Sequence, residues 1–183
     1  MRREDFEHVV AAAANVTGLD DFVVIGSQAI LGTQDEVPEE MLVSIEADMY
    51  PRDAPEQADL IDGALGDGSS FQTAFGYYAH WVGPETAKAP AGWQERLVPV
   101  PVPPRVASER RPVAWCLEPH DLVLSKCAAG RPRDWEYAAA ALRAGIVQRD
   151  ELLRRVPTLP IPEAGREHIE KLLRALDDRG ATD

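Results

Sequence analysis

Glu46 and Asp48 stand one residue apart in the segment Val43-Ser44-Ile45-Glu46-Ala47-Asp48-Met49-Tyr50. Successive side chains of a β-strand point to opposite faces, so in an extended segment Ser44, Glu46 and Asp48 share one face and Ile45, Ala47 and Met49 share the other. The apolar face can enter a core while the acidic face holds a hard cation such as Mg²⁺, which takes one or two carboxylates plus the phosphates of a substrate. Phosphoryl transfer needs little from a protein beyond positioning and charge neutralisation, so the pair suits nucleotide chemistry. The same alternation describes any half-solvated strand of an acidic protein, and spacing alone does not separate the two readings.

A second group lies upstream. Phe22-Val23-Val24-Ile25 reads as a short buried strand that runs into Gly26-Ser27 and then into a helical stretch from Gln28 to Leu31. A Gly-Ser turn between strand and helix offers backbone N–H groups and a hydroxyl where phosphate is welcome; the plainer alternative is a serine N-cap after a glycine turn. The third group is Lys126, inside the apolar run Leu122-Val123-Leu124-Ser125-Lys126-Cys127, with Arg131, Arg133 and Asp134 at the start of the next helix. The chain has only three lysines, Lys88, Lys126 and Lys171, so one within an apolar segment invites a specific role, although a helical lysine can also lay its stem on apolar surface with its head in water. Tyr78 and His80 share a face of the run Tyr77 to Val82, and His80 either enters the same cleft or serves as a structural hydrogen-bonding residue.

The elements that must position these groups follow from periodicity. Phe6, Val9, Val10, Ala13 and Val16 recur at helical spacing and predict a first amphipathic helix that stops near Gly18. Residues 32 to 42 read as a loop, Ser44 to Met49 as a strand ended by Pro51, 55 to 65 as a helix, and Gly66 to Ser70 as a turn. Strands follow at 77–82, 96–100 and 113–117, the second confined to a sheet edge by Pro99, Pro101, Pro103 and Pro104. From Pro119 the pattern is helical, with Gly130 and Pro132 separating two helices, Gly145 closing the second, and two more over 149–156 and 162–179. This predicts an α/β (α+β) fold: a mixed α/β core over 1–118 and a helical portion over 119–183, packed as one unit. Trp135, Tyr137 and Leu142 read as core, and Glu36, Glu39 and Glu40 as a solvated face.

The pattern of an apolar residue, Gly-Ser, a spacer and a carboxylate-x-carboxylate strand resembles the nucleotidyltransferase superfamily. Leu117-Glu118-Pro119-His120-Asp121-Leu122 through Ser125-Lys126, Ala129-Gly130-Arg131 and Arg133-Asp134 looks like the later block of minimal nucleotidyltransferases of the AbiEii toxin type, and in particular of an uncharacterised bacterial branch. The resemblance spans most of residues 20 to 145 and implies the minimal nucleotidyltransferase fold, a mixed sheet flanked by helices. It implies that Gly26 and Ser27 cradle the triphosphate of an NTP, that Glu46 and Asp48 hold Mg²⁺, and that Lys126 and Arg131 neutralise phosphate charge. Asp134 would orient the lysine or help to activate the acceptor. It further implies transfer of NMP to a hydroxyl, with the 3′ end of a tRNA as a candidate acceptor and a cognate antitoxin protein as a candidate partner. The first carboxylate is Glu where the family more often has Asp, and the spacer from Ser27 to Glu46 is long. For the third carboxylate of many active members, Glu95 and Glu118 are the candidates. A nucleotidyltransferase-fold protein that only binds a nucleotide or a partner is the alternative reading.

Bulk properties limit the remaining classes. With 183 residues, 45% apolar and 27% charged, the chain has the composition of a globular domain with a sizeable core. No apolar stretch is long enough to cross a bilayer and the first residues lack an apolar signal region, so a cytoplasmic location is expected. Cys116 and Cys127 show no metal-binding spacing and read as buried thiols. A net charge of −12 disfavours a stand-alone nucleic-acid-binding domain, whose affinity comes from lysines and arginines displacing counterions.

Overall fold

The computed structural model describes residues 1–103 and 110–176. Its centre is a five-stranded mixed sheet in the order β3-β2-β1-β5-β4, built from β1 (Asp21–Val24), β2 (Glu46–Pro51), β3 (Tyr78–Trp81), β4 (Val98–Pro101) and β5 (Val113–Cys116). β1 is antiparallel to β2 and parallel to β5, β2 is parallel to β3, and β4 is antiparallel to β5. The middle strand carries Phe22, Val23 and Val24, all buried, because strands on both sides and helices beyond them leave no face for water.

Eight α-helices surround the sheet among the described residues: α1 (Arg3–Thr17), α2 (Ala29–Thr33), α3 (Ala58–Leu65), α4 (Ser70–Phe75), α5 (Pro119–Ala129), α6 (Pro132–Arg143), α7 (Arg149–Arg155) and α8 (Glu163–Ala175). In α1 the apolar stripe Phe6, Val9, Val10 and Ala13 is fully buried, whereas Val16, expected on that stripe, is 40% exposed at the last turn. Gly18 ends the helix at φ 75°, a left-handed conformation that glycine adopts without strain, and its N–H donates to the Ala14 carbonyl. One continuous hydrophobic cluster joins α1, the sheet and the helices from α5 onward, so the helical portion shares the core of the sheet.

Three expectations need correction. β2 begins two residues later than expected and includes Pro51. Ile25 N–H donates to Asp48 O at 3.0 Å and Arg52 N–H to Asp21 O at 2.9 Å, so the opposed residues Phe22 and Pro51 fall at a non-hydrogen-bonded position of the antiparallel ladder. The missing N–H of Pro51 therefore takes no bond from the β1–β2 ladder and falls on the side of β3, whose strand ends at Trp81. After the turn at Gly66, α4 forms where no helix was expected, started by Ser69, whose hydroxyl accepts the Gln72 N–H at 3.1 Å. Finally, α2 starts only at Ala29 with Gln28 as its N-cap, so Ser27 is a loop residue and not a cap. The edge position of the proline-bearing β4 agrees with expectation, as do the buried thiols of Cys116 and Cys127, both pushed up to about 12 by burial. Residues 104 and 177–183, which enter the expected proline segment, last helix and helical portion, lie outside the described residues.

Candidate functional site

Ile25 and Asp48 face each other as a hydrogen-bonded pair across the β1–β2 ladder, and that register delivers the acidic strand to the Gly26-Ser27 turn. The approach is close. A Cβ on Gly26 would lie 2.2 Å from Asp48 Oδ2 and 2.7 Å from its Cβ, so no other residue type fits beside Asp48 without displacing it. The N–H groups of Gly26, Ser27 and Gln28 donate to no acceptor among the described residues. They are available to an anion.

As the alternation predicts, Glu46 and Asp48 share the open face of β2 while Ala47 and Met49 are fully buried on the other. Each carboxylate has one oxygen engaged by β3: Tyr78 O–H donates to Glu46 Oε2 at 2.8 Å, and His80 Nδ1 lies 2.9 Å from Asp48 Oδ1. His80 therefore does enter the cleft. Burial, with the neighbouring Glu46 charge, raises the Asp48 pKa above its ordinary value, against the lowering effect of His80 and Lys126. Burial and the Glu46 hydrogen bond push the Tyr78 hydroxyl up to about 12, so it stays a donor.

Across the cleft, α5 presents Lys126 and the start of α6 presents Arg131. Both are held by Asp134, which is fully buried: Lys126 Nζ lies 3.5 Å from Oδ1 and Arg131 Nε lies 3.0 Å from Oδ2. Asp134 Oδ2 also accepts the Arg131 backbone N–H at 3.1 Å, closing the first turn of α6, while Oδ1 makes no geometrically sound hydrogen bond. Because Asp134 sits behind the two cations and does not line the cavity, orienting the lysine is the one of its two expected roles that fits its position. Burial lowers the Lys126 pKa, opposed by the Asp134 charge. The ammonium also lies 4.5 Å from the centre of the Tyr137 ring, and Tyr137 O–H donates to the Ser27 carbonyl at 3.3 Å. Tyr137 is thus core, as expected, and a tie between α6 and the Gly-Ser turn, which its sequence setting did not signal.

These groups line one cavity of about 500 Å³, within the range of small-molecule sites. Gly26, Ser27, Glu46, Asp48, Lys126 and Arg131 all border it, with Met41, Val43 and Val82 supplying apolar wall. The two lining lysines, Lys88 and Lys126, are two of only three in the chain, and Arg133 adds a further cation. Glu40, read as solvated, is exposed yet borders the cavity and pairs with Arg143 at 2.5 Å.

Neither candidate for a third carboxylate is here. Glu118 bonds His120 at 2.6 Å and Arg155 at 2.5 Å in a separate cluster, and Glu95 is exposed on a 3₁₀ turn outside the cavity. No group of three or more His, Cys, Asp or Glu side chains among the described residues is arranged to hold a metal ion. The donor set that remains, Glu46 and Asp48, still fits Mg²⁺, which keeps most of its shell for water and substrate phosphates. Glu46 Oε1 and Asp48 Oδ2 have no hydrogen-bond partner among the described residues.

The five-stranded mixed sheet flanked by helices is consistent with a nucleotidyltransferase-like fold, and it sets the acidic pair beside the Gly-Ser turn, with Lys126 bordering the same cavity. The narrower assignment comes from comparison with known families: residues 4–156 match the family described as nucleotidyltransferase of unknown function (DUF6036), and the chain belongs to it. No curated protein and no solved structure matches the chain.

Proposed function

We propose that this chain is an Mg²⁺-dependent nucleotidyltransferase that transfers NMP from an NTP to a hydroxyl acceptor. The observation that carries the reading is the convergence of Glu46 and Asp48 on the side-chain-free turn at Gly26, with Lys126 bordering the same cavity. Bound Mg²⁺ would supply Lewis-acid polarisation of the phosphates and bring the acceptor oxygen near them. The chain's own contributions are positional and electrostatic. Free N–H groups at Gly26 and Ser27 bind phosphate oxygens, and Glu46 and Asp48 hold the cation. Lys126 and Arg131 offset the charge that gathers on the leaving pyrophosphate as the acceptor oxygen bonds to the α-phosphorus. Asp134 keeps both cations aimed inward, and Tyr137 fixes the turn against α6.

The likeness to AbiEii-type enzymes supports the finer reading of a tRNA 3′ end as acceptor and an antitoxin as partner. No helix among the described residues is long and apolar enough to cross a membrane. A second reading rests on the placement of Glu95 and Glu118 outside the site: a protein that binds nucleotide without turning it over. Incubation with Mg²⁺, each of four α-labelled NTPs and total bacterial RNA, beside Asp48→Ala, separates the two. Label moved to a discrete RNA and lost in the variant supports the transferase; no transfer with NTP binding retained supports the binding protein.

A further inference from the structure

We propose that Tyr78 and His80 are positioning residues that hold Glu46 and Asp48 in one fixed orientation, in a site where no group of three metal-ligating side chains is arranged among the described residues. The inference rests on the cation site proposed above and concerns what keeps that site in shape.

The arrangement follows from register. In the parallel β2–β3 ladder Glu46 is opposite Tyr78 and Asp48 is opposite His80, so the spacing of two within each strand places two carboxylates and two donors on one face as matched pairs. Both pairs are at full hydrogen-bond contact, 2.8 Å for Tyr78 O–H to Glu46 Oε2 and 2.9 Å for His80 Nδ1 to Asp48 Oδ1. An ionised carboxylate only accepts, so the proton of the imidazole is assigned to Nδ1 from its partner.

Two carboxylates side by side repel each other, and left free they would turn their oxygens apart into water. Each donor engages one oxygen and leaves the other, Glu46 Oε1 and Asp48 Oδ2, without a hydrogen-bond partner among the described residues. A cation then meets a pre-arranged pair and does not have to order it. Sites with three carboxylates have a further ligand to draw the cation in; here the candidates Glu95 and Glu118 are elsewhere. Outer partners of metal ligands typically account for 10–100-fold in metal affinity. The His80 side chain is 50% exposed, so it buries too little surface for packing to explain its place.

The test titrates Mn²⁺, a spectroscopic substitute for Mg²⁺, into the full chain and follows the free ion by electron paramagnetic resonance; turnover is not involved. Tyr78→Phe and His80→Ala are each expected to weaken Mn²⁺ binding by about 10-fold or more. His80→Asn, whose amide N–H can reach the place of Nδ1–H, is expected to recover most of the loss. Asp48→Asn serves as the ligand-loss control, and circular dichroism melting confirms that each variant is folded. Binding lost in Asp48→Asn but unchanged in Tyr78→Phe and His80→Ala overturns the positioning role and leaves the cation site standing. His80→Asn as weak as His80→Ala overturns the hydrogen bond as the cause. A wild-type chain that binds no Mn²⁺, alone or with a non-hydrolysable NTP analogue, overturns the cation site and this inference together.

Discussion

Two clusters of charged side chains in this chain contain almost the same residue types and are built to opposite ends. The first joins α5 to α7: Asp121, fully buried, accepts from Arg96 at 2.7 Å and from Arg155 at 2.8 Å, while Glu118 accepts from Arg155 and bonds His120. His120 in turn meets Gln148 at 3.0 Å, so every group is engaged. The second is the cavity, where Glu46, Asp48 and Lys126 keep unfilled bonding capacity among the described residues, as does Asp134 behind them. The pKa shifts separate them. Burial alone would raise Glu118, yet bonds from His120 and Arg155 outweigh it and bring the carboxyl down to about 2. At Asp48 burial prevails and the pKa rises, and at Lys126 burial prevails and it falls. A closed cluster stabilises its charges by mutual pairing; an open one leaves its charges less stable.

The largest expected effect is on activity. Asp48→Asn should lower kcat/KM for transfer on the order of 1000-fold, about 4 kcal/mol, without unfolding the chain. Steady-state transfer with circular dichroism checks it, and an active Asp48→Asn would remove the functional half of the contrast. Next comes Arg155→Ala, which takes one partner each from Glu118 and Asp121 in the closed cluster and should cost about 3 kcal/mol of stability by urea unfolding. Activity of the folded fraction should stay near wild type. A variant that loses activity while remaining as stable would mean that the two clusters are one device.

Acid titration gives a slightly smaller effect. The folded Glu118 pKa of about 2 lies below its ordinary value of 4.5, so its contribution is present above pH 4.5 and is lost as pH falls from there towards 2. With the side chain 20% exposed, on the order of 2 to 3 kcal/mol should disappear over that window, and Glu118→Gln should flatten the acid limb of the urea midpoint. The smallest effect has the opposite sign. Because the folded Asp48 pKa is raised, ionising the group costs stability as pH rises through the folded value, so Asp48→Asn should melt slightly higher than wild type at pH 7. Below the ordinary carboxyl value of 3.8 the two melting temperatures should converge. A thermal melt series from pH 3 to pH 8 reads it directly.

Much of the site was legible in the chain because its geometry is local. Alternation put Glu46 and Asp48 on one face of a strand, and Gly26-Ser27 after an apolar run marked the turn, both consequences of period two and of glycine's missing side chain. Lys126 was readable from the scarcity of lysine, and Arg131 from its place at a helix break. Errors arose where a long-range partner decided. Pro51 looked like a terminator until the ladder's parity placed it where β1 takes no N–H from it and β3 has ended, and Glu118, a candidate ligand, pairs with Arg155, 37 residues on. Tyr137 was read correctly as buried, but its hydroxyl's hold on Ser27, 110 residues away, has no local signal.

The sequence by itself determined the mixed α/β class, the acidic strand, the Gly-Ser turn and the later basic block, since each depends on neighbours within a few residues. Only the tertiary structure decided that these pieces border one cavity, that Tyr78 and His80 stand opposite Glu46 and Asp48, and that Glu95 and Glu118 lie elsewhere. Strand order and register create those contacts, and both are selected by burial of the whole sheet, a quantity that belongs to no single segment.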